Sequence, residues 1–268
     1  MFTSPGPILV QIGGFAVRWY SLLILTGIVA GTLVAQRLAP KRSVNPEVFS
    51  DLVVWLVVGA IPMARLYYVI FEWHRFAAEP WWKVFAIWEG GIAIHGGILG
   101  GLLAAWLFCR RYGYSLLTLM DLVAPGLILG QAIGRWGNFF NSEAFGAPTD
   151  LPWKLFIPEP NRPPGLGEFA FYHPTFLYES LWDLGVFVLL LFVFYRVRPL
   201  ATGSIACIYA IAYSLGRFWI EGLRMDSLMV GPLRTAQLVS LLGIAAGSIG
   251  LWWLNRRRDA QVGEVSQN

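Results

Sequence analysis

The sequence predicts an all-α integral membrane protein with about seven transmembrane helices and an extramembrane lobe between spans four and five. Three observations predict it. Of 268 residues, 56% are hydrophobic and only 13% are charged, against about 25% charged in a soluble domain. Apolar runs of spanning length recur along the chain, and a span needs about 20 residues. Finally, Ala147 to Pro174 holds seven of the sixteen prolines, and proline removes the amide donor that a spanning helix requires.

Taken in order, span one is expected over Trp19 to Leu38, anchored by Arg18, Trp19 and Tyr20. No basic segment precedes it, and Arg37, Lys41 and Arg42 follow it, so it reads as a span and not as a cleaved leader. Span two covers Leu52 to Phe71 and contains Pro62 and Arg65. Glu72 to Trp88 is a loop whose Trp81 and Trp82 suit a membrane interface. Glu89 to Gly97 is so glycine-rich that a re-entrant or unwound start to span three is expected. Span three then runs to Phe108, with Gly97, Gly101 and Ala105 as a small-residue packing face. Span four covers Leu117 to Gly134, and the lobe lies within 139–175. Trp153, Phe156, Phe169 and Phe171 give the lobe something to pack. Spans five, six and seven cover Phe176 to Tyr195, Ile205 to Gly222 and Ala236 to Leu254. A loose polar tail is expected over 256–268, and residues 1–268 are read as a single polytopic membrane domain.

Basic residues set the orientation. Arg37, Lys41, Arg42, Arg110, Arg111, Arg196, Arg198, Arg256, Arg257 and Arg258 all fall in alternate loops. The positive-inside rule places them in the cytoplasm. The amino end and the lobe are then outside and the carboxyl end inside. The net charge of +4 is dispersed over an apolar chain, so it indicates no nucleic-acid partner.

The chemistry concentrates after span four, in Gly134-Arg-Trp-Gly-Asn-Phe-Phe-Asn-Ser-Glu-Ala-Phe-Gly146. Arg135 and Asn138 are three apart and share a helical face. Asn141 and Glu143 follow, and Gly134, Gly137 and Gly146 admit a close backbone or ligand. An arginine at membrane depth costs about 2.5–3.5 kcal/mol on insertion scales, and its planar fork suits a phosphate. The plainer alternative is an arginine that snorkels to the headgroups. Span six ends in a second cluster, with Arg217, Glu221 and Arg224 on one face and Tyr209 and Tyr213 continuing it inward. An internal salt bridge that only joins helices is the alternative there. Arg135 and Arg217, at similar depth on separate helices, make a phosphate clamp.

His95 lies between glycine pairs that leave its ring reachable, though a packing histidine is the simpler reading. Tyr20 is either an interfacial aromatic or a pocket hydroxyl. The segment from His173 through Tyr178 and Glu179 reads as a helix start, and Asp121 and Asp183 as caps or structural acceptors. No metal is expected, because His74, His95 and His173 lack ligand spacing. Cys109 and Cys207 fall near cytoplasmic ends, away from the charges. A retinal protein needs a lysine within a span, and Lys41, Lys83 and Lys154 are all in loops. A secondary transporter of an anionic solute stays open as the alternative to a lipid-modifying enzyme, although no paired halves are visible.

The Gly134–Gly146 stretch resembles the signature of the prolipoprotein diacylglyceryl transferases. Arg18-Trp19-Tyr20, His95-Gly-Gly, Asp121 with Ala124-Pro125, His173-Pro174 with Leu177-Tyr178-Glu179, and Gly216-Arg217-Phe218 with Glu221 and Arg224 match in the same order. The resemblance covers nearly the full length and excludes the lobe. It implies a bacterial inner-membrane enzyme that moves diacylglyceryl from phosphatidylglycerol to a lipobox cysteine of a prolipoprotein, releasing glycerol phosphate, the first step of lipoprotein maturation. On that basis Arg135, Arg217, Asn138, Tyr20 and Gly146 are expected to bind the lipid. His95 is the candidate base, and Glu143 and Glu221 orient the arginines or the base. Neither metal nor soluble cofactor is expected, and the chain is expected to work as a monomer.

Overall fold

The computed structural model describes residues 1–77, 79–197, 199–225 and 229–265; Arg198, one of the basic loop residues, lies outside them. The chain is mostly helical, with α1 (Trp19–Leu38), α2 (Val48–Phe71), a single turn α3 (Trp73–Phe76), α4 (Ile94–Tyr112), α5 (Leu116–Asn141), α6 (Thr175–Arg196), α7 (Ser204–Glu221) and α8 (Thr235–Val265). Among the described residues five of these, α1, α2, α5, α6 and α8, are long and apolar enough to cross a membrane. The segments of the other two expected spans form helices α4 and α7, of 19 and 18 residues, which are not among those five. Both are diluted, α4 by His95 and four glycines and α7 by Arg217 and Glu221. The chain divides into two compact units, Gln36–Leu119 and Met1–Ala35 with Met120–Asn268.

In the unit Gln36–Leu119, α2 packs against α4 through small residues. A Cβ at Gly59 would come within 2.6 Å of Ala104 Cβ and 2.8 Å of the Gly100 carbonyl. The packing stripe on α4 is therefore Gly96, Gly100 and Ala104, all buried. The expected stripe of Gly97, Gly101 and Ala105 is one residue out of register; nothing lies within 4 Å of a Cβ at Gly101. Consecutive glycine pairs offer both registers, and the facing Gly59 and Met63 select one. The irregular start to span three is confined to Gly90–Ala93. Gly90 and Gly91 adopt φ 86° and 74°, and the Ala93 amide donates to the Ala64 carbonyl at 3.0 Å. His95 then sits in the first turn of a regular helix. Arg65, 7% exposed, gathers this loop by donating to the carbonyls of Lys83, Val84, Gly90 and Gly91 at 2.6–2.8 Å.

In the other unit, α1 and α5 touch backbone to backbone. A Cβ at Gly27 would lie 3.1 Å from the Gly130 carbonyl, and one at Gly31 2.7 Å from that of Gly126. Trp182 Nε1 on α6 donates to the Ala212 carbonyl of α7 at 2.9 Å. Asp121 on α5 accepts from the Gly203 and Ala206 amides at 2.8 and 3.0 Å, capping the amino end of α7. This is the capping role expected for Asp121. The final helix continues to Val265, about three turns past the expected end of span seven, so most of the tail read as loose is helical.

The proline-rich segment folds. A three-stranded sheet in the order β1 (Phe2–Thr3), β4 (Leu155–Phe156), β5 (Phe171–Tyr172) ties it to the chain start. Its core is Phe139, Phe145, Leu155, Ile157, Tyr172 and Phe176. Of the aromatics expected to fill it, Trp153 and Phe169 are exposed at 45% and 41%, and Phe156 and Phe171 pair with each other, ring centroids 6.0 Å apart. Strand alternation explains the difference: Leu155 and Ile157 point inward, so Phe156 between them does not. Ahead of α1, β2 (Ile8–Ile12) and β3 (Phe15–Arg18) form a hairpin, and β6 (Met229–Val230) and β7 (Leu233–Arg234) form another before α8.

Candidate functional site

The helix expected to end at Gly134 runs on to Asn141, so Arg135 and Asn138 are helical and face the same way. Gly137 meets Tyr20 of α1; any Cβ there would collide with the tyrosine ring. Trp19 stacks on Phe140 at 4.5 Å. After Asn141 the chain turns sharply. Ser142 and Ala144 hold φ of 52° and 56°, conformations that cost non-glycine residues of order 1–3 kcal/mol each. Between them sits Glu143, exposed, whose Oε1 accepts from Asn138 Nδ2 at 3.0 Å and Asn141 Nδ2 at 3.1 Å. The strained turn and the two amides fix this carboxylate.

Gly146 then closes a junction of three segments. Its amide donates to the His173 carbonyl at 3.0 Å, and the Ala147 amide donates to the Leu223 carbonyl at 3.1 Å. A Cβ at Gly146 would stand 2.8 Å from His173 Cβ and 3.0 Å from the Leu223 carbonyl, so only glycine lets the ends of α5, α6 and α7 meet here. Thr175 adds a hydrogen bond to the Ala144 carbonyl. His173 Nδ1 is 3.1 Å from the Tyr178 hydroxyl, which also accepts from Trp153 Nε1 at 2.9 Å.

Below this junction the arginines converge on one acid. Glu179 of α6, 5% exposed, receives Arg135 Nε at 2.7 Å on Oε2 and Arg217 Nη1 at 2.9 Å on Oε1. Arg224 Nη1 lies 3.9 Å from Oε1. Arg217 also reaches Glu221 Oε2 through Nη2 at 2.5 Å, and Arg224 Nε is 3.9 Å from the same oxygen. Arg234 donates to the carbonyls of Glu221 and Arg224, closing the end of α7. Further along, Tyr209 and Tyr213 stack at 5.8 Å and Tyr209 donates to Gln131 Oε1 at 3.0 Å. The arginine side chains keep 14–20% of their surface exposed, while both glutamates are nearly closed off. Chemically this is a set of cationic forks from α5 and the end of α7 gathered on a carboxylate of α6, a geometry that also suits another oxyanion.

The sequence model of the prolipoprotein diacylglyceryl transferases matches residues 7–253. The chain belongs to the prolipoprotein diacylglyceryl transferase family. A phosphatidylglycerol–prolipoprotein diacylglyceryl transferase of Gloeobacter violaceus is 82% identical over 260 residues, covering 97% of each chain. One of Synechocystis is 57% identical over 257 residues, covering 94% of this chain and 90% of its own. One of Parasynechococcus marenigrum is 53% identical over 270 residues, covering 96% and 97%.

Within this family member, the residues expected from sequence fall into two groups. Tyr20, Arg135, Asn138, Glu143, Gly146, Arg217 and Glu221 all belong to the unit that holds the arginine cluster. His95 belongs to the other unit, exposed on α4 with its ring 5.9 Å from Tyr67. Sequence reasoning missed the centre of the cluster: Glu179 reads as part of a helix start but accepts from both Arg135 and Arg217. A signal was available. Glu179 and Asp183, spaced i and i+4, are the only acids inside the otherwise apolar α6. Among the described residues no group of histidine, cysteine or acids could hold a metal.

Proposed function

We propose that the chain transfers the diacylglyceryl group of phosphatidylglycerol to the lipobox cysteine of a prolipoprotein, forming a thioether and releasing glycerol phosphate. The observation that carries this reading is the convergence of Arg135 and Arg217 on Glu179. Two guanidinium forks on separate helices, already committed to an oxyanion, can take the phosphate of a lipid whose acyl chains stay in the bilayer. The thiolate attacks the diacylglyceryl carbon beside the phosphate. The S–C bond forms, the C–O bond breaks, and the electron pair leaves on the phosphate oxygen. Charge grows there, so the arginines bind the leaving phosphate more tightly than the bound lipid.

In the same reading Asn138, Tyr20 and Gly146 shape the lipid site, while Glu143 and Glu221 orient the polar groups. His95 takes the thiol proton. A free thiol has a pKa of about 8.5, so His95→Gln should lose most transfer near neutral pH and recover as pH rises toward that value. A loss that is flat with pH removes His95 from proton transfer. We further read α4 and α7 as the remaining two of seven spans in one membrane domain, with the amino end and the lobe outside the bacterial inner membrane, the carboxyl end inside, and a monomer as the working unit. Neither metal nor soluble cofactor enters the reaction. The test incubates purified protein with phosphatidylglycerol and a lipobox peptide; a diacylglyceryl mass shift is expected. No shift, with saturable anion uptake into vesicles, would replace the enzyme by a transporter.

A further inference from the structure

One buried acid stands outside this mechanism. Asp183, one helical turn beyond Glu179, is 2% exposed, and its Oδ2 has no hydrogen-bond partner among the described residues. An acceptor buried in this way costs free energy unless something donates to it. It interacts electrostatically with Arg135, Glu179 and Arg217, and with Tyr209 of α7. Both oxygens of Glu179 face guanidinium groups, Glu221 Oε2 faces Arg217, and Gln131 Oε1 accepts from Tyr209. Asp183 therefore offers an open acceptor beside the arginines, about 6 Å along the helix from Glu179.

The donor lipid brings what that acceptor lacks. Resting on phosphatidylglycerol as the substrate, we propose that Asp183 accepts a hydrogen bond from a hydroxyl of the glycerol headgroup and thereby selects this lipid by its headgroup. With the phosphate held by Arg135 and Arg217, the headgroup lies a few bonds farther on, a reach comparable to the turn from Glu179 to Asp183. A hydroxyl carried into a buried site needs an acceptor, and Asp183 supplies it once Arg135 turns from Glu179 to the phosphate.

The test measures transfer from three lipids with the same acyl chains: phosphatidylglycerol, phosphatidylpropanol, which lacks the hydroxyls, and phosphatidylethanolamine. Wild type should prefer phosphatidylglycerol in kcat/KM over phosphatidylpropanol by about 10- to 100-fold, the range for leaving a buried polar group unpaired. Asp183→Asn keeps one acceptor and should reduce that preference to a few-fold. Asp183→Leu removes both acceptors at similar volume and should abolish it. Structural damage alone lowers transfer from both lipids equally, and that result in either variant overturns the proposal. The asparagine variant decides the matter if the leucine variant does not fold. Wild-type transfer from phosphatidylethanolamine at the phosphatidylglycerol rate overturns it as well, since the headgroup would then not be selected by its hydroxyls. Absence of wild-type transfer from every lipid sinks the substrate reading itself.

Discussion

Arg65 and the pair Arg135 and Arg217 are all arginines inside apolar helices, yet they are satisfied in opposite ways. Arg65 donates to four backbone carbonyls of one loop. Carbonyls are fixed neutral acceptors, so this arginine ties Lys83–Gly91 to α2. Arg135 and Arg217 face side-chain carboxylates instead. A carboxylate is mobile and carries charge, and an incoming phosphate can compete with it for the same fork. Burial of an arginine in a span is thus ambiguous by itself, and the kind of acceptor separates one tied to fixed backbone from one whose partner a ligand can replace.

That contrast can be broken by exchanging charge-conserving residues. Arg135→Lys and Arg217→Lys keep the charge and lose the fork. Each should lower transfer by about 10²–10³-fold, the scale of removing one donor to developing charge, with the protein still inserted and folded. Initial rates together with thermal unfolding in detergent check this, and near-normal rates in both would end the phosphate clamp. Arg65→Lys should do the reverse. Losing charged hydrogen bonds to the loop carbonyls should cost about 2 kcal/mol of stability, while the specific activity of the folded fraction holds. A large activity loss at unchanged melting temperature would erase the distinction between the two regions.

Two smaller effects sharpen it. Asp121→Ala removes the cap on α7, the helix that carries Arg217, and should cost about 1 kcal/mol; thermal unfolding reads it, and no change would mean the two amides find other acceptors. Ala144→Gly relieves a φ of 56° and should raise stability by about 1 kcal/mol. If the strain serves to hold Glu143, transfer should fall slightly even as the melting temperature rises. Gains in both would show the turn to be incidental.

How much of this was legible beforehand depends on the range of the interaction. Span one, the helical face joining Arg217 to Glu221, and the folded state of the proline-rich segment follow from runs, spacing and composition, because each is a local property of the chain. The signature glycines were readable as sites of close approach, though not what approaches: Tyr20 at Gly137, His173 and Leu223 at Gly146. The lobe core was misread because the short strands that set its inward face pair across more than 150 residues, Phe2 with Leu155.

The sequence by itself determined that the chain is an apolar helical membrane protein, that charge gathers after span four and at the end of span six, and to which family it belongs. It could not choose between Gly96-Gly100-Ala104 and Gly97-Gly101-Ala105, since both satisfy the same period; the facing surface of α2 decided. Nor could it make Glu179 the centre of the site. The pair Glu179 and Asp183 marks a polar stripe on an apolar helix, but spacing within one helix does not say which groups of other helices reach it. Only the packing of α5 and α7 against α6, which brings Arg135 and Arg217 to opposite oxygens of one carboxylate while closing it to solvent, turns that acid into the hub.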